Sequence, residues 1–380
     1  MSGSTPQPAL DVTSIHDLQS GVVASAPLVR PLRMVHQAPL GYKNPCTEVD
    51  PPVIFPPPVQ DWIYDIQYLV LSGGGVKGYA YAGALTALDQ AFFRRRKNLY
   101  QQLKGTAGSS IGALFALFVV LGLRNQQLLK EVMLTNIMEL AQHMNIENLV
   151  TMYGLCLPTY FQKNVFALLE RWTGLGNITF RDLYEMTQKT YVCCVTNINT
   201  NQAEYHSHET TPHYRVFESV AASMCIPLLF APCIINGQCY VDGGMNDNCP
   251  FRVFPLQESL VLYLDGAKWS TDLSSFQQYL LFLACNLWQT LDRNNFRSLP
   301  TADRQRLLRI AVDNLSGLDF HITAEQKKQL LAKGTAAVEQ FLHPGSRLGD
   351  VWKVVLRLLG HLLWQWTRPK PTLSETTAPH

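Results

Sequence analysis

Charge is scarce in this chain. Lys and Arg number 31 and Asp and Glu 29 among 380 residues, 16% together, and the formal net charge is +2. So even a balance argues against nucleic acid as the main partner, because that function needs a basic patch or stripe. No run of about 20 apolar residues occurs, so no bilayer-spanning helix is expected. The first twenty residues lack an apolar core behind a basic start, so no signal peptide is expected either. The nine cysteines show no metal-ligand spacing, and Cys193 and Cys194 are adjacent. They read as buried, reduced thiols of a cytosol-like compartment, with no metal and no disulfide framework.

The chain has enough apolar content, 47%, for one large core or one core with extensions. Proline is unevenly placed: eleven of the 22 fall within residues 1–60, ending in Pro51, Pro52, Pro56, Pro57 and Pro58. Such a segment stays extended and buries little, so 1–60 is expected to be an arm or linker ahead of a domain spanning 61–343.

The stretch 68–117 is what the domain is organised around. Tyr68, Leu69, Val70 and Leu71 read as a strand, which runs into Gly73, Gly74, Gly75, Val76, Lys77 and Gly78 and then a helical pattern from Tyr79. A second short strand from Gly105 leads into Gly108-Ser109-Ser110-Ile111-Gly112 and an apolar helix. Two glycine-rich turns between strand and helix place both helix N-termini at the carboxyl edge of one parallel sheet, where ligands of open α/β sheets bind. Gly-x-Ser-x-Gly puts a serine on a strained strand-to-helix bend with its hydroxyl exposed. That hydroxyl needs a base to take its proton and N–H donors for the resulting oxyanion. The loop 73–75 is a source of such donors. The first loop also fits Gly-x-Gly-x-x-Gly through Gly73, Gly75 and Gly78. A dinucleotide site, however, wants an acidic residue about 20 positions on, where this chain has Arg94, Arg95, Arg96 and Lys97. No Gly-Lys-Ser/Thr closes the run, which excludes a Walker loop.

Further on, helical periodicity covers 125–142 and 164–172, with a less regular apolar segment between them. Thr179 opens a short helix. Residues 191–196 are a continuous apolar run, expected as a strand covered on both faces. A second strand at 201–208 and a helix at 213–224 follow. The run 228–235 is read as one strand, turned at Asn236-Gly237 into 238–241. That strand ends in Asp242-Gly243-Gly244, a carboxylate on an open turn. Residues 259–265 and 309–312 read as strands, 271–291 as a helix, and Thr323 opens a helix through Leu342 with acidic residues early and lysines later.

Four of these blocks, in this order, resemble the patatin-like phospholipase family. They are Gly73 to Gly78 (with Lys77 where the family usually has Arg), Gly108-Ser109-Ser110-Ile111-Gly112, Ala222-Ser223-Met224-Cys225-Ile226-Pro227, and Asp242-Gly243-Gly244 with Asn248 and Pro250. The resemblance implies a three-layer α/β/α fold with a central, mostly parallel sheet. It implies a Ser–Asp dyad with Ser110 as nucleophile and Asp242 as base, an oxyanion hole at Gly73, Gly74 and Gly75, and no cofactor. The supporting motif positions are Lys77, Gly78, Gly108, Gly112, Gly243 and Gly244. The implied substrate is a phospholipid or other glycerolipid, cut at a carboxylic ester through an acyl-enzyme.

One competing arrangement is an α/β-hydrolase triad, since Ser110, Asp242 and His321 follow that fold's chain order. It leaves the Asp-Gly-Gly-x-x-x-Asn-x-Pro pattern unexplained. Beyond the domain, 344–380 holds a further helical pattern and a polar tail. The stretch opening at Val351 and closing at Trp366 places Lys353, Arg357, His361 and Gln365 on one narrow stripe of an otherwise apolar helix. It is expected to lie in a membrane interface, making the protein cytoplasmic and peripherally membrane-associated. Packing on the protein's own core is the alternative.

Overall fold

Among the described residues, ten strands supply the frame: β1 (Tyr68–Leu71), β2 (Gly105–Ser109), β3 (Gly154–Cys156), β4 (Thr190–Asn197), β5 (Gln202–His206), β6 (Leu228–Phe230), β7 (Cys233–Ile235), β8 (Gln238–Asp242), β9 (Ser259–Asp265) and β10 (Leu307–Ala311). The helices are α1 (Tyr79–Arg94), α2 (Leu99–Gln102), α3 (Ile111–Val120), α4 (Asn125–Leu134), α5 (Ile146–Thr151), α6 (Thr159–Thr173), α7 (Phe180–Thr187), α8 (Val216–Ser223), α9 (Thr301–Arg304) and α10 (Ala324–Leu342). The computed structural model describes residues 61–134, 145–266, 296, 299–312 and 322–344. The proline-rich arm at 1–60, the helix expected at 271–291, His321 and the stretch 351–366 lie outside the described residues.

The main sheet runs β10-β9-β1-β2-β4-β8-β7, with β5 also on β4. Its left part is parallel throughout: β10 with β9, β9 with β1, β1 with β2 and β2 with β4. The right part, β5, β8 and β7, is antiparallel. This is the α/β architecture expected, a mostly parallel sheet flanked by helices. Every residue of β4 after Thr190 is buried, as its unbroken apolar run implies.

Strand alternation divides the core. Leu69, Leu71, Leu260 and Leu262 pack with the helices, whereas Val70, Ala107, Val192 and Val261 face a smaller cluster with Cys249 and Phe251. On the helical side α1 and α10 approach unusually closely. A Cβ on Gly83 would stand 1.9 Å from the Leu331 carbonyl oxygen, and one on Gly334 1.8 Å from that of Ala80. Helices α7 and α10 both open with capping boxes, Thr179 with Asp182 and Thr323 with Gln326, so the serine/threonine start signals mark true helix ends.

Three expectations need correction. Residues 228–235 do not form one strand: Pro232 has no N–H for a ladder, and the run breaks into β6 and β7. β6 pairs with β3 in a separate two-stranded sheet, and the Ala231 N–H donates to the Cys156 carbonyl at 2.8 Å. The segment read as irregular before Pro158 therefore contains α5 and β3. Helix α8 also starts later than its periodicity suggests, because Arg215 bridges Thr179 in extended geometry.

The edge of β4 that holds β2 is what positions the site. Cys193 pairs with Gly108 of β2 and with His206 of β5, while Val195 pairs with Asp242 of β8 and with Glu204 of β5. β5 occupies one edge throughout, so β2 and β8 share the other. They approach each other end to end, and the chain leaves both strands at the same place.

Candidate active site

β2 is built of small residues, Gly-Thr-Ala-Gly-Ser, all buried, and delivers the chain to Ser110. Ser110 stands at φ 54° and ψ −130°, backbone of a kind that costs a residue with a side chain roughly 1–3 kcal/mol. The bend closes because its flanking glycines touch. A Cβ on Gly108 would stand 2.3 Å from the carbonyl carbon of Gly112. Helix α3 begins at the next residue, so the serine sits at a helix N-terminus, where developing negative charge is favoured.

Asp242 ends β8. Ser110 Oγ donates to its Oδ2 at 2.6 Å, and the Gly244 N–H donates to its Oδ1 at 2.8 Å. Ser110 is 6% and Asp242 2% exposed. Among the described residues, no imidazole bonds to either of them. His206, also buried, turns one ring nitrogen to Ser219 Oγ at 2.9 Å and the other to Glu204, and burial drives its pKa down to about 4. Burial acts in the opposite sense on Asp242. It pushes the carboxyl from 3.8 up to about 7, against the smaller lowering effects of the Ser110 and Gly244 hydrogen bonds. A carboxylate at its ordinary pKa is a poor base for a hydroxyl; one poised near neutrality is far better matched.

The first glycine loop lies directly against the serine. A Cβ on Gly73 would stand 3.1 Å from Ser110 Cβ, and Gly78 packs on Ile111. The three loop amides are not equivalent. Gly73 N–H donates to the Asn248 carbonyl at 2.9 Å, whereas those of Gly74 and Gly75 make no such bond among the described residues. Gly75 has φ 56° and opens the single turn Gly75–Gly78 that precedes α1. Lys77, in the place usual for Arg, is buried, and its ammonium donates to the Gly266 carbonyl, tying the loop to the end of β9. Gly243 follows Asp242 against the Cys194 carbonyl and the Ser109 hydroxyl. Of the residues singled out from the sequence, Gly73 and Asp242 thus stand directly against Ser110.

An apolar cleft with about 240 Å³ of space, its open mouth included, starts beside this loop between Gly75 and Ile111. Leu114, Phe115, Phe118 and Val132 form its walls. Tyr79 also lines it, with a buried hydroxyl that has no hydrogen-bond partner among the described residues; burial raises that phenol to about 12. Among the described residues, no group of three or more His, Cys, Asp or Glu side chains converges as a metal site.

Sequence reasoning quoted the block 222–227 without giving any of its residues a task. The Ser110 N–H donates to Ser223 Oγ at 2.8 Å, and Ser223 donates onward to the Cys194 carbonyl at 2.6 Å. Two residues later, the Cys225 carbonyl accepts the Asp242 N–H at 2.9 Å. The end of α8 therefore holds the backbone of both Ser110 and Asp242. A hydroxyl at the last position of a mostly apolar helix was the available signal.

Residues 69–255 match the family model described as Patatin-like phospholipase, the family that the four sequence blocks resemble. Among its relatives is the uncharacterized protein R571 of Acanthamoeba polyphaga mimivirus, 23% identical over 72% of this chain and 93% of its own length. The probable lipid hydrolase 463L of Invertebrate iridescent virus 6 is 27% identical over 49% of this chain and 62% of its own. Among solved structures, VipD from Legionella pneumophila aligns with a TM-score of 0.46 at 18% identity, over 73% of this chain and 67% of that one.

Proposed function

We propose that the protein is a lipid acyl hydrolase of phospholipase A type. The observation that carries this reading is the 2.6 Å hydrogen bond from Ser110 Oγ to a buried Asp242 carboxylate at a strand-to-helix bend. The family-model match over residues 69–255 and the printed name of the 463L relative, a probable lipid hydrolase, agree with it. Asp242 Oδ2 takes the serine proton as Oγ bonds to the ester carbonyl carbon. The oxyanion is met by the amides of Gly74 and Gly75, aided by the N-terminus of α3. Collapse breaks the ester C–O bond, and Asp242 returns its proton to the departing alcohol of the glycerolipid. Water then attacks the acyl-enzyme with Asp242 again as base, releasing a fatty acid. The apolar cleft beside Gly75 receives the acyl chain, which gains roughly 0.8 kcal/mol per buried methylene.

The substrate lies in a membrane, and no described helix is long and apolar enough to cross one. The amphipathic stretch 351–366, with Lys353 and Arg357 on its polar stripe, is our candidate for surface contact. Removing 345–380 is expected to abolish liposome sedimentation while sparing a soluble ester. A truncation that instead lowers the melting temperature and both activities would place that stretch in the core.

The chemistry is tested by mass spectrometry of products from mixed phospholipid vesicles in H₂¹⁸O. A released fatty acid carrying ¹⁸O, with an unlabelled lysolipid, is expected. Headgroup release without fatty acid would overturn the assignment.

A further inference from the structure

We propose that Ser223 is a positioning residue for the nucleophile, its hydroxyl bridging the Ser110 N–H and the Cys194 carbonyl so that the strained bend aims Ser110 Oγ at Asp242. The inference rests on the reading of Ser110 and Asp242 as the reacting pair. Both bonds are short, 2.8 and 2.6 Å, and run in one direction, from Ser110 N–H to Ser223 to Cys194. Ser223 and Cys194 are fully buried and Ser110 nearly so. Without the hydroxyl, an amide and a carbonyl would both be left unpaired away from water, which is costly for each. The bend relieves that cost most directly by relaxing. Ser110 is held at φ 54°, a conformation that persists only while its surroundings over-determine it. Relaxation turns Oγ away from Asp242.

The position of the bridge is also specific. Cys194 is the β4 residue that pairs with Ser109, and Val195 after it pairs with Asp242. Ser223 therefore pins the nucleophile to the same two rungs that fix the base. Its neighbour one turn back on α8, Ser219, is equally buried but spends its hydroxyl on His206 Nδ1 at 2.9 Å. Two buried serines of one helix thus face different tasks, and Ser219 provides an internal control.

The test compares Ser223→Ala, Ser223→Thr and Ser219→Ala with the wild-type full chain on a soluble ester. It follows kcat, KM, the rate of fluorophosphonate labelling and the pH profile. Ser223→Ala is expected to lose about tenfold to a hundredfold in kcat and in labelling rate, with KM little changed. Its acidic limb should move to higher pH, because the Ser110 hydrogen bond is one of the influences lowering Asp242. The other titratable groups facing Asp242 are the thiols of Cys193, Cys194 and Cys225, which burial holds protonated well above neutrality, so they do not contribute to that limb. Ser223→Thr, which keeps the hydroxyl, should restore rate and limb, and Ser219→Ala should leave the limb in place. Should the alanine variant not fold, Thr and Val at 223 differ only in the hydroxyl and carry the same comparison. A Ser223→Ala or Ser223→Val enzyme with wild-type kcat and an unmoved limb would overturn the inference alone, provided Ser110→Ala is inactive. Activity surviving in Ser110→Ala would instead overturn the dyad on which it rests.

Discussion

Asp242 pairs with Val195 one rung beyond the pair that Ser109 makes with Cys194. β2 and β8 thus occupy successive stretches of one edge of β4 and point toward each other. Ser110 and Asp242, 132 positions apart, meet because both leave a strand at the same rung. Their separation is set by backbone pairing in a buried sheet rather than by loops, and sites carried on rigid elements hold geometry best.

The pH dependence of turnover follows from the buried carboxylate. Asp242 accepts a proton only when ionised, and its pKa is raised from 3.8 to about 7. Activity on a soluble ester should therefore fall about tenfold per pH unit below that point and level off above it. A kcat/KM profile from about pH 5 to 9 checks this; a limb centred near 4 would mean that Asp242 is not desolvated in the working enzyme.

The same displacement has a stability consequence of defined sign. With the folded pKa above the unfolded one, the group stabilises the fold below about 3.8, and that contribution is lost as pH rises through about 7. The difference amounts to about 4 kcal/mol at most. Asp242→Asn should therefore raise the melting temperature at pH 8, with the gain shrinking toward pH 4. Thermal unfolding at the two pH values measures it, and an equal gain at both would contradict the assignment.

The bend itself is sterically exacting. Gly108→Ala would bring a methyl group within 2.3 Å of the Gly112 backbone, which no side-chain movement relieves. A loss of about 3 kcal/mol or more is expected, read by denaturant unfolding, together with loss of fluorophosphonate labelling.

Much of this site is legible in sequence, because each part carries a local signature. Gly108 and Gly112 bracket Ser110, two glycines follow Asp242, and three precede Val76. What is not legible depends on partners far along the chain. The Ser223 hydroxyl meets Ser110 from 113 positions away. That Gly73 spends its amide on Asn248 follows from how two loops dock. The break between β6 and β7 had a local cue in Pro232, but the destination of β6, beside β3, had none. Periodicity reports which face is buried, not which neighbour covers it.

The cleft predicts chain-length selectivity. Val132 lines it and is buried on α4. Val132→Trp should fill the space and shift preference toward shorter acyl chains by about tenfold, an effect within the usual range for a few methylenes. Competition between short- and long-chain esters of one alcohol measures it, and an unchanged ratio would place the acyl chain elsewhere.

The central claim is the Ser110–Asp242 pair, and turnover of a soluble short-chain ester by folded Ser110→Ala and Asp242→Asn tests it most directly. Both should fall by about a thousandfold or more, since one lacks the nucleophile and the other the proton acceptor. Retention of more than about a tenth of wild-type activity by either would contradict the account.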